Sequence, residues 1–199
     1  MLTSMAKRLC KKMQALADAL AVGFPARKRK SVVSSSSPPV FEYDAPFHAA
    51  GLATAHFKVT STVGHIFSLD FPTDYNNTQK VKNEDLFRAP TVHCEDPRPR
   101  VSEHLAQEAR DCDILVLWLD CDREGENICF EVISVARPCL RSTPTLLPDG
   151  SGGLPGAWMG NVMRAFFSSL APADLCHAMT TGLGHPNWNE SRSVDARQE

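Results

Sequence analysis

An α/β domain with a mainly parallel sheet flanked by helices is what this sequence predicts, on three observations. Strand-like and helix-like segments alternate along most of the chain, the pattern of a sheet covered by its crossover helices. Residues 114–119 form a continuous apolar run rich in β-branched and aromatic residues, the habit of a strand buried on both faces. Just beyond four carboxylates, Ile128, Val132 and Val135, flanked by Cys129, Ile133 and Ala136, mark the apolar stripe of a helix packed on that sheet.

Taken in order, residues 6–22 predict a helix, because Leu9, Met13, Leu16 and Leu20 recur at helical spacing between lysines, and Phe24-Pro25 ends it. Residues 25–39 are basic, then Ser34-Ser35-Ser36-Ser37-Pro38-Pro39, a composition that buries little. Residues 1–39 are therefore expected to be a basic helix and a flexible arm, with structured sequence beginning near Val40. Residues 41–44 and 55–60 predict two extended segments of a hairpin around Gly51. In the next run, Gly64 marks a place where the backbone bends or is closely approached, and His65 beside it is a candidate contact for a phosphate or a carboxylate. Residues 72–100 are polar and proline-rich and predict loop with one short helical turn near Leu86-Phe87. Val101, Leu105 and Ala109 predict a helix over 101–110 that feeds the acidic strand. Residues 138–156 predict a surface loop, 162–167 a strand, and 171–181 a helix with Leu175, Ala178 and Met179 on one face and Gly182 as its stop.

The net charge of −2 hides an asymmetry. Residues 1–30 carry eight Lys and Arg against Asp18 alone, a net of +7, which leaves −9 for the rest. A basic arm on an acidic body fits a nucleic-acid partner or a nuclear import signal at Arg27-Lys28-Arg29-Lys30, with cytoplasm or an organelle as the alternative addresses. A solvated basic tail is the plainer alternative. The seven cysteines, Cys10, Cys94, Cys112, Cys121, Cys129, Cys139 and Cys176, never form Cys-x-x-Cys, which points to a reducing compartment and excludes a zinc module. No stretch approaches the length of apolar residues that spans a bilayer, so no membrane partner is expected.

The candidate site is the acidic turn Asp120-Cys121-Asp122-Arg123-Glu124-Gly125-Glu126, between strand and helix, where open α/β sheets bind ligands. Asp120, Asp122 and Glu124 are two residues apart, which in an extended strand end points all three to one side. Packed carboxylates repel, and the usual relief is a divalent cation; hard oxygen donors suit Mg2+, whose remaining positions take phosphate. Arg123 and the helix amino end after Gly125 add positive character beside it. An EF-hand loop is excluded because the approach is a β run and no second loop exists, and a dinucleotide site because no glycine-rich fingerprint follows a strand. A solvated acidic turn without a ligand stays open.

The same turn, with Asn127, resembles the Asp-x-Asp-x-Glu-Gly-Glu motif of the Toprim domain, a Rossmann-like fold, in type IA DNA topoisomerases. Its flanks, Val116-Leu117-Trp118-Leu119 and Ile128-Cys129-Phe130-Glu131-Val132, are most similar to the eukaryotic topoisomerase III branch, its beta form in particular. Further stretches agree in order: Phe57-Lys58-Val59-Thr60-Ser61, Val63-Gly64-His65, Leu69-Asp70-Phe71, Arg164-Ala165 with Phe167-Ser168-Ser169, Asn189-Glu190, and Ser193-Val194-Asp195-Ala196-Arg197-Gln198-Glu199. The resemblance divides the chain into the arm 1–39, a Toprim domain over 40–185, and the start of a following topoisomerase domain over 186–199, where the chain is truncated.

What the resemblance implies is single-strand DNA cleavage by a tyrosine, strand passage and religation. Asp120 and Asp122 would be Mg2+ ligands, with Glu124 joining that cluster or supporting it. Arg123, Arg164 and Arg197 would lie along the nucleic acid, with His65 at the edge of the site. Single-stranded DNA is the implied partner, RNA is left open, and a protein partner of a topoisomerase III complex is a further expectation. There are also departures. The family's opening strand with Glu-Lys-Pro-Ser finds no match, and its second arginine in Arg-Ala-Arg-Phe-Ser is Phe166 here. Its nucleophilic tyrosine lies beyond the position of Glu199, while Tyr43 and Tyr75 sit in unlike segments. This chain alone is thus expected to be inactive in strand cleavage. The competing readings are a non-catalytic module binding single-stranded nucleic acid or a partner, and metal-dependent phosphodiester hydrolysis.

Overall fold

The computed structural model describes residues 26–75, 81–95, 99–141 and 160–192. The expected helix over 6–22, Arg197, and the loop from 142 onward lie outside the described residues. Strand β1 (Arg27–Arg29) pairs antiparallel with β2 (Val40–Phe47), which pairs antiparallel with β3 (Leu52–Val59). The hairpin expected around Gly51 is present and longer than its apolar signal; Gly51 takes φ 70 at the end of the 3-10 turn His48–Ala50, a left-handed position that glycine occupies without strain. Gly64 has φ 102 with open space around it, so the backbone bends there and nothing approaches it closely.

Among the described residues four short strands escaped the sequence reading: β1, the two of the next ribbon, and a two-residue strand at Leu183–Gly184. β4 (Ser68–Asp70) and β5 (Val92–Cys94) form a two-stranded antiparallel ribbon, with helix α1 (Asn83–Leu86) in the connection. Each has three residues, too few for a period to register. Helix α2 (Val101–Ala109) then leads to β6 (Leu115–Leu117), and helix α3 (Arg123–Ala136) follows the acidic turn. β7 (Val162–Ala165) pairs parallel with β6, and after α4 (Pro172–Thr180) the short β8 (Leu183–Gly184) pairs antiparallel with β7.

The α/β class holds, but among the described residues parallel pairing is confined to β6–β7, so the sheet is not mainly parallel there. Among the described residues β6 pairs with β7 alone, and Leu115 and Val116 are half buried where enclosure on both faces was expected. The main core lies between α2, α3 and the β6–β7 ladder: Val101, Leu105, Leu117, Ile128, Cys129, Val132, Ile133, Ala136 and Val162. Each large aliphatic side chain buried there contributes about 1.5–3 kcal/mol. No helix among the described residues is long and apolar enough to cross a membrane, and the cysteines there are free thiols.

The flexible-arm reading fails for residues 26–39. Arg29 donates to Glu42 at 2.6 Å and to Glu108 at 2.9 Å, Ser37 donates to the carbonyl of Pro99 at 2.6 Å, and Ser31 meets His104 Nδ1 at 2.8 Å. The composition buries little apolar surface, yet its polar groups find fixed partners on α2 and β2. Of the basic run 27–30, Arg29 is thus consumed by structure. His104 is fully buried, with Nε2 at 2.7 Å from Thr60 Oγ1, whose hydroxyl donates to the carbonyl of Pro39. Thr60 therefore accepts from Nε2–H, and Nδ1 accepts from Ser31: the ring is held neutral by hydrogen-bond complementarity.

Burial holds the pKa of His104 below its ordinary value, with Glu108 opposing that and Arg29 adding to it. The unfolded chain therefore takes up this proton first, and stability declines as pH falls below about 6.5. Chemical denaturation of the chain across pH 5 to about 8 is expected to show that decline, and His104→Gln to flatten it. His65, whose pKa the fold raises, works in the opposite sense over the same range, so the test is the difference between the two profiles: equal slopes for wild type and His104→Gln would contradict this assignment.

Candidate metal and nucleic-acid site at the acidic turn

β6 delivers the turn and α3 carries it away. Asp122 is the N-cap of α3, with extended backbone (φ −138, ψ 176), and accepts a hydrogen bond from the Gly125 amide at 2.7 Å. Its side chain so satisfies one of the amides that a helix start leaves unpaired. Gly125 is required by close approach: a Cβ there would lie 2.0 Å from the carbonyl oxygen of Asp120. That carbonyl is fixed from its other side by Arg164, which donates to it at 2.8 Å.

Arg164 is the hub of the site. It is fully buried, and donates to Glu126 at 2.9 Å and to the carbonyls of Leu119 and Ala165 at 2.9 Å each. The other oxygen of Glu126 accepts the amide of Asn187 at 2.8 Å, and Asn127 Oδ1 accepts from Ser191 at 3.1 Å, so residues 187–191 rest on the start of α3. The reading of Arg164 as a nucleic-acid contact is corrected by this burial: a guanidinium so enclosed orders the end of β6 and cannot reach a phosphate.

His65 is also committed. Nδ1 bonds Glu131 at 2.7 Å and Nε2 bonds Glu124, while Glu131 accepts the Ile66 amide at 2.6 Å. Burial works against a charge on the ring, but the hydrogen bonds to Glu131 and Glu124 outweigh it and raise its pKa above the ordinary value. With both nitrogens used, His65 is an organiser of Glu124 and not a free phosphate donor. Arg123, at the first position of α3 and 60% exposed, meets Glu190 at 3.3 Å and lies open to solvent beside the helix start.

Asp120, Asp122 and Glu124 do not converge as the alternation rule anticipates. Helix begins at Arg123, so Glu124 obeys helical geometry and turns to His65. Among the described residues no three His, Cys, Asp or Glu side chains gather to hold a metal alone. What fits is smaller: Asp120 and Asp122 are exposed at the turn, and two hard carboxylates are what Mg2+ takes when water and phosphate complete its octahedron. Two carboxylates of equal weight, Glu126 and Glu131, were missed by the sequence reading. An arginine inside the apolar strand Val162–Ala165 was the available signal, since a buried guanidinium demands a buried acid.

The Toprim domain family model matches residues 12–146. The chain belongs to the Toprim family. The Toprim match opens well upstream of Val40, consistent with the fixed contacts of residues 26–39. DNA topoisomerase 3-beta of Arabidopsis thaliana is 44% identical over 164 residues, covering 82% of this chain and 17% of that protein. DNA topoisomerase 3-beta-1 of Homo sapiens is 44% identical over 162 residues, 80% of this chain and 17% of its own length. DNA topoisomerase 3-alpha of Homo sapiens is 33% identical over 188 residues, 92% and 16% of the two. The resemblance to topoisomerase III, beta above alpha, therefore holds, and the chain spans about one sixth of the length of these curated relatives.

Removing one member of the buried pair exposes its cost. Glu126→Gln keeps the volume but leaves Arg164 uncompensated, and is expected to destabilise the Toprim domain by about 3 kcal/mol, read from urea unfolding midpoints. Gly125→Ala is expected to unseat the Asp120 carbonyl, with loss of stability by the same measurement. Wild-type midpoints for both variants would refute the role given to the hub.

Proposed function

We propose that the chain is the metal-binding portion of a type IA DNA topoisomerase of the topoisomerase III kind. The observation that carries this is an exposed Asp120/Asp122 pair at the strand-to-helix turn, clamped from behind by a buried Arg164–Glu126 pair, in a chain of the Toprim family. Asp120 and Asp122 would hold Mg2+, and Glu124, oriented by His65, supports them from the side. The cation would supply charge neutralisation at the scissile phosphate during in-line transfer. Arg123, at the positive end of α3, is proposed to steady a neighbouring phosphate.

The nucleophile is proposed to come from the remaining length of the whole enzyme. Tyr43 is 4% exposed, stacked on Phe57 with ring centroids 5.0 Å apart, and burial raises its pKa, so its hydroxyl is unsuited to attack. Single-stranded DNA is the proposed substrate, in keeping with relatives named as DNA topoisomerases. RNA and a protein partner are further proposals from the resemblance, and a nuclear address is proposed from the basic run at Arg27-Lys28-Arg29-Lys30.

Calorimetric titration of the chain with Mg2+ tests the ligand assignment. Asp120→Asn with Asp122→Asn is expected to abolish binding, and Glu124→Gln, acting through the side of the site, to weaken it about tenfold. Equal affinity in wild type and the double variant would remove the assignment. In a plasmid assay with Mg2+, the chain alone is expected to leave negatively supercoiled DNA unrelaxed; relaxation would place the nucleophile inside residues 1–199.

A further inference from the structure

We infer that Phe166 is a stacking platform for one base of a single strand held at the acidic turn, an inference that rests on the nucleic-acid reading of that turn. Phe166 follows β7 directly, and its amide donates to the carbonyl of Gly182 at 3.0 Å, so its backbone continues the ladder to β8. Side chains two residues apart on a strand share a face, and Arg164 and Phe166 do so here, with the guanidinium carbon 5.4 Å from the centroid of the ring. The same guanidinium bonds the carbonyl of Asp120, which sets the ring beside the turn that carries Asp120 and Asp122.

Gly184, opposite Arg164 in the ladder, makes room for the ring: a Cβ there would lie 2.9 Å from its Cε2. Phe166 is thus backed by a cation on one side and bounded by a glycine on another, yet 43% of it stays exposed. A phenylalanine roofing an ion pair alone would be expected to turn its surface inward. This one keeps apolar area facing water at the edge of a site proposed for phosphate and metal. A base is the occupant that fits: it brings a π face to the ring while its backbone phosphate reaches toward Mg2+ and Arg123. Where the resembling family has a second arginine, this chain has traded a cationic group for an aromatic one.

The test is fluorescence-anisotropy binding of labelled oligothymidylate to the full chain in Mg2+, with an abasic strand as the comparison. Phe166→Leu keeps an apolar roof over Arg164 and removes only the π face. It is expected to bind the intact strand roughly 5- to 100-fold more weakly and the abasic strand as wild type does. Phe166→Trp is expected to retain binding. Phe166→Arg is expected to steepen the dependence of log affinity on log salt by about 0.7, one added phosphate contact on a single strand. Urea midpoints of all three variants are read alongside, so that loss of folding is separated from loss of stacking. If wild type binds and Phe166→Leu binds equally, the platform is overturned while the nucleic-acid reading stands. If wild type binds neither strand, both fall together.

Discussion

A buried guanidinium organises this molecule. Removing Arg164 from water costs several kcal/mol, and the fold repays it only because Glu126 and the carbonyls of Leu119, Asp120 and Ala165 are all turned toward it. The consequences spread outward from that requirement. The end of β6 is fixed by its own carbonyls, the start of α3 by Glu126, and residues near Asn187 by the second oxygen of that glutamate. The proposed role, holding a doubly charged ion over a phosphate, would call for such a rigid base, since charges that reorganise during reaction waste the stabilisation they offer.

Four carboxylates lie within seven residues, and each behaves differently. Glu126 is buried against Arg164; Glu124 turns to His65; Asp122 caps a helix; Asp120 presents its carboxylate at the surface while its carbonyl is clamped. Nothing in the side chains distinguishes these roles, because the chain passes from extended to helical backbone at Arg123 and each residue is aimed by its place in that change. Relief of repulsion is thus achieved mainly by dispersal and pairing, which leaves two aspartates in place of three acids for a cation.

The segment 26–39 shows how polar sequence acquires order. Serines and arginines there hide little apolar area, so a reading from composition finds only a linker. Arg29 between Glu42 and Glu108, Ser31 on His104 and Ser37 on Pro99 supply in hydrogen bonds what burial lacks. Those partners are 13 to 79 residues away along the chain, a separation invisible to any local pattern.

The pairing of β6 with β7 came from the structure, but local sequence pattern was enough for the α/β class, the hairpin at Gly51, helices α2 to α4, the strands β6 and β7 and the acidic turn between strand and helix. Each rests on periodicity or on local backbone chemistry, which a short window of residues contains. The short ribbon β4–β5 was not legible, because three-residue strands are defined by a neighbour and not by their own pattern. Tertiary structure alone decided that Arg164 faces inward, that His65 is spent on two glutamates, and that Phe166 stands open above the guanidinium. A charged side chain reads the same in sequence whether it meets water or a buried partner, and only the packing of distant elements settles which of the two it finds.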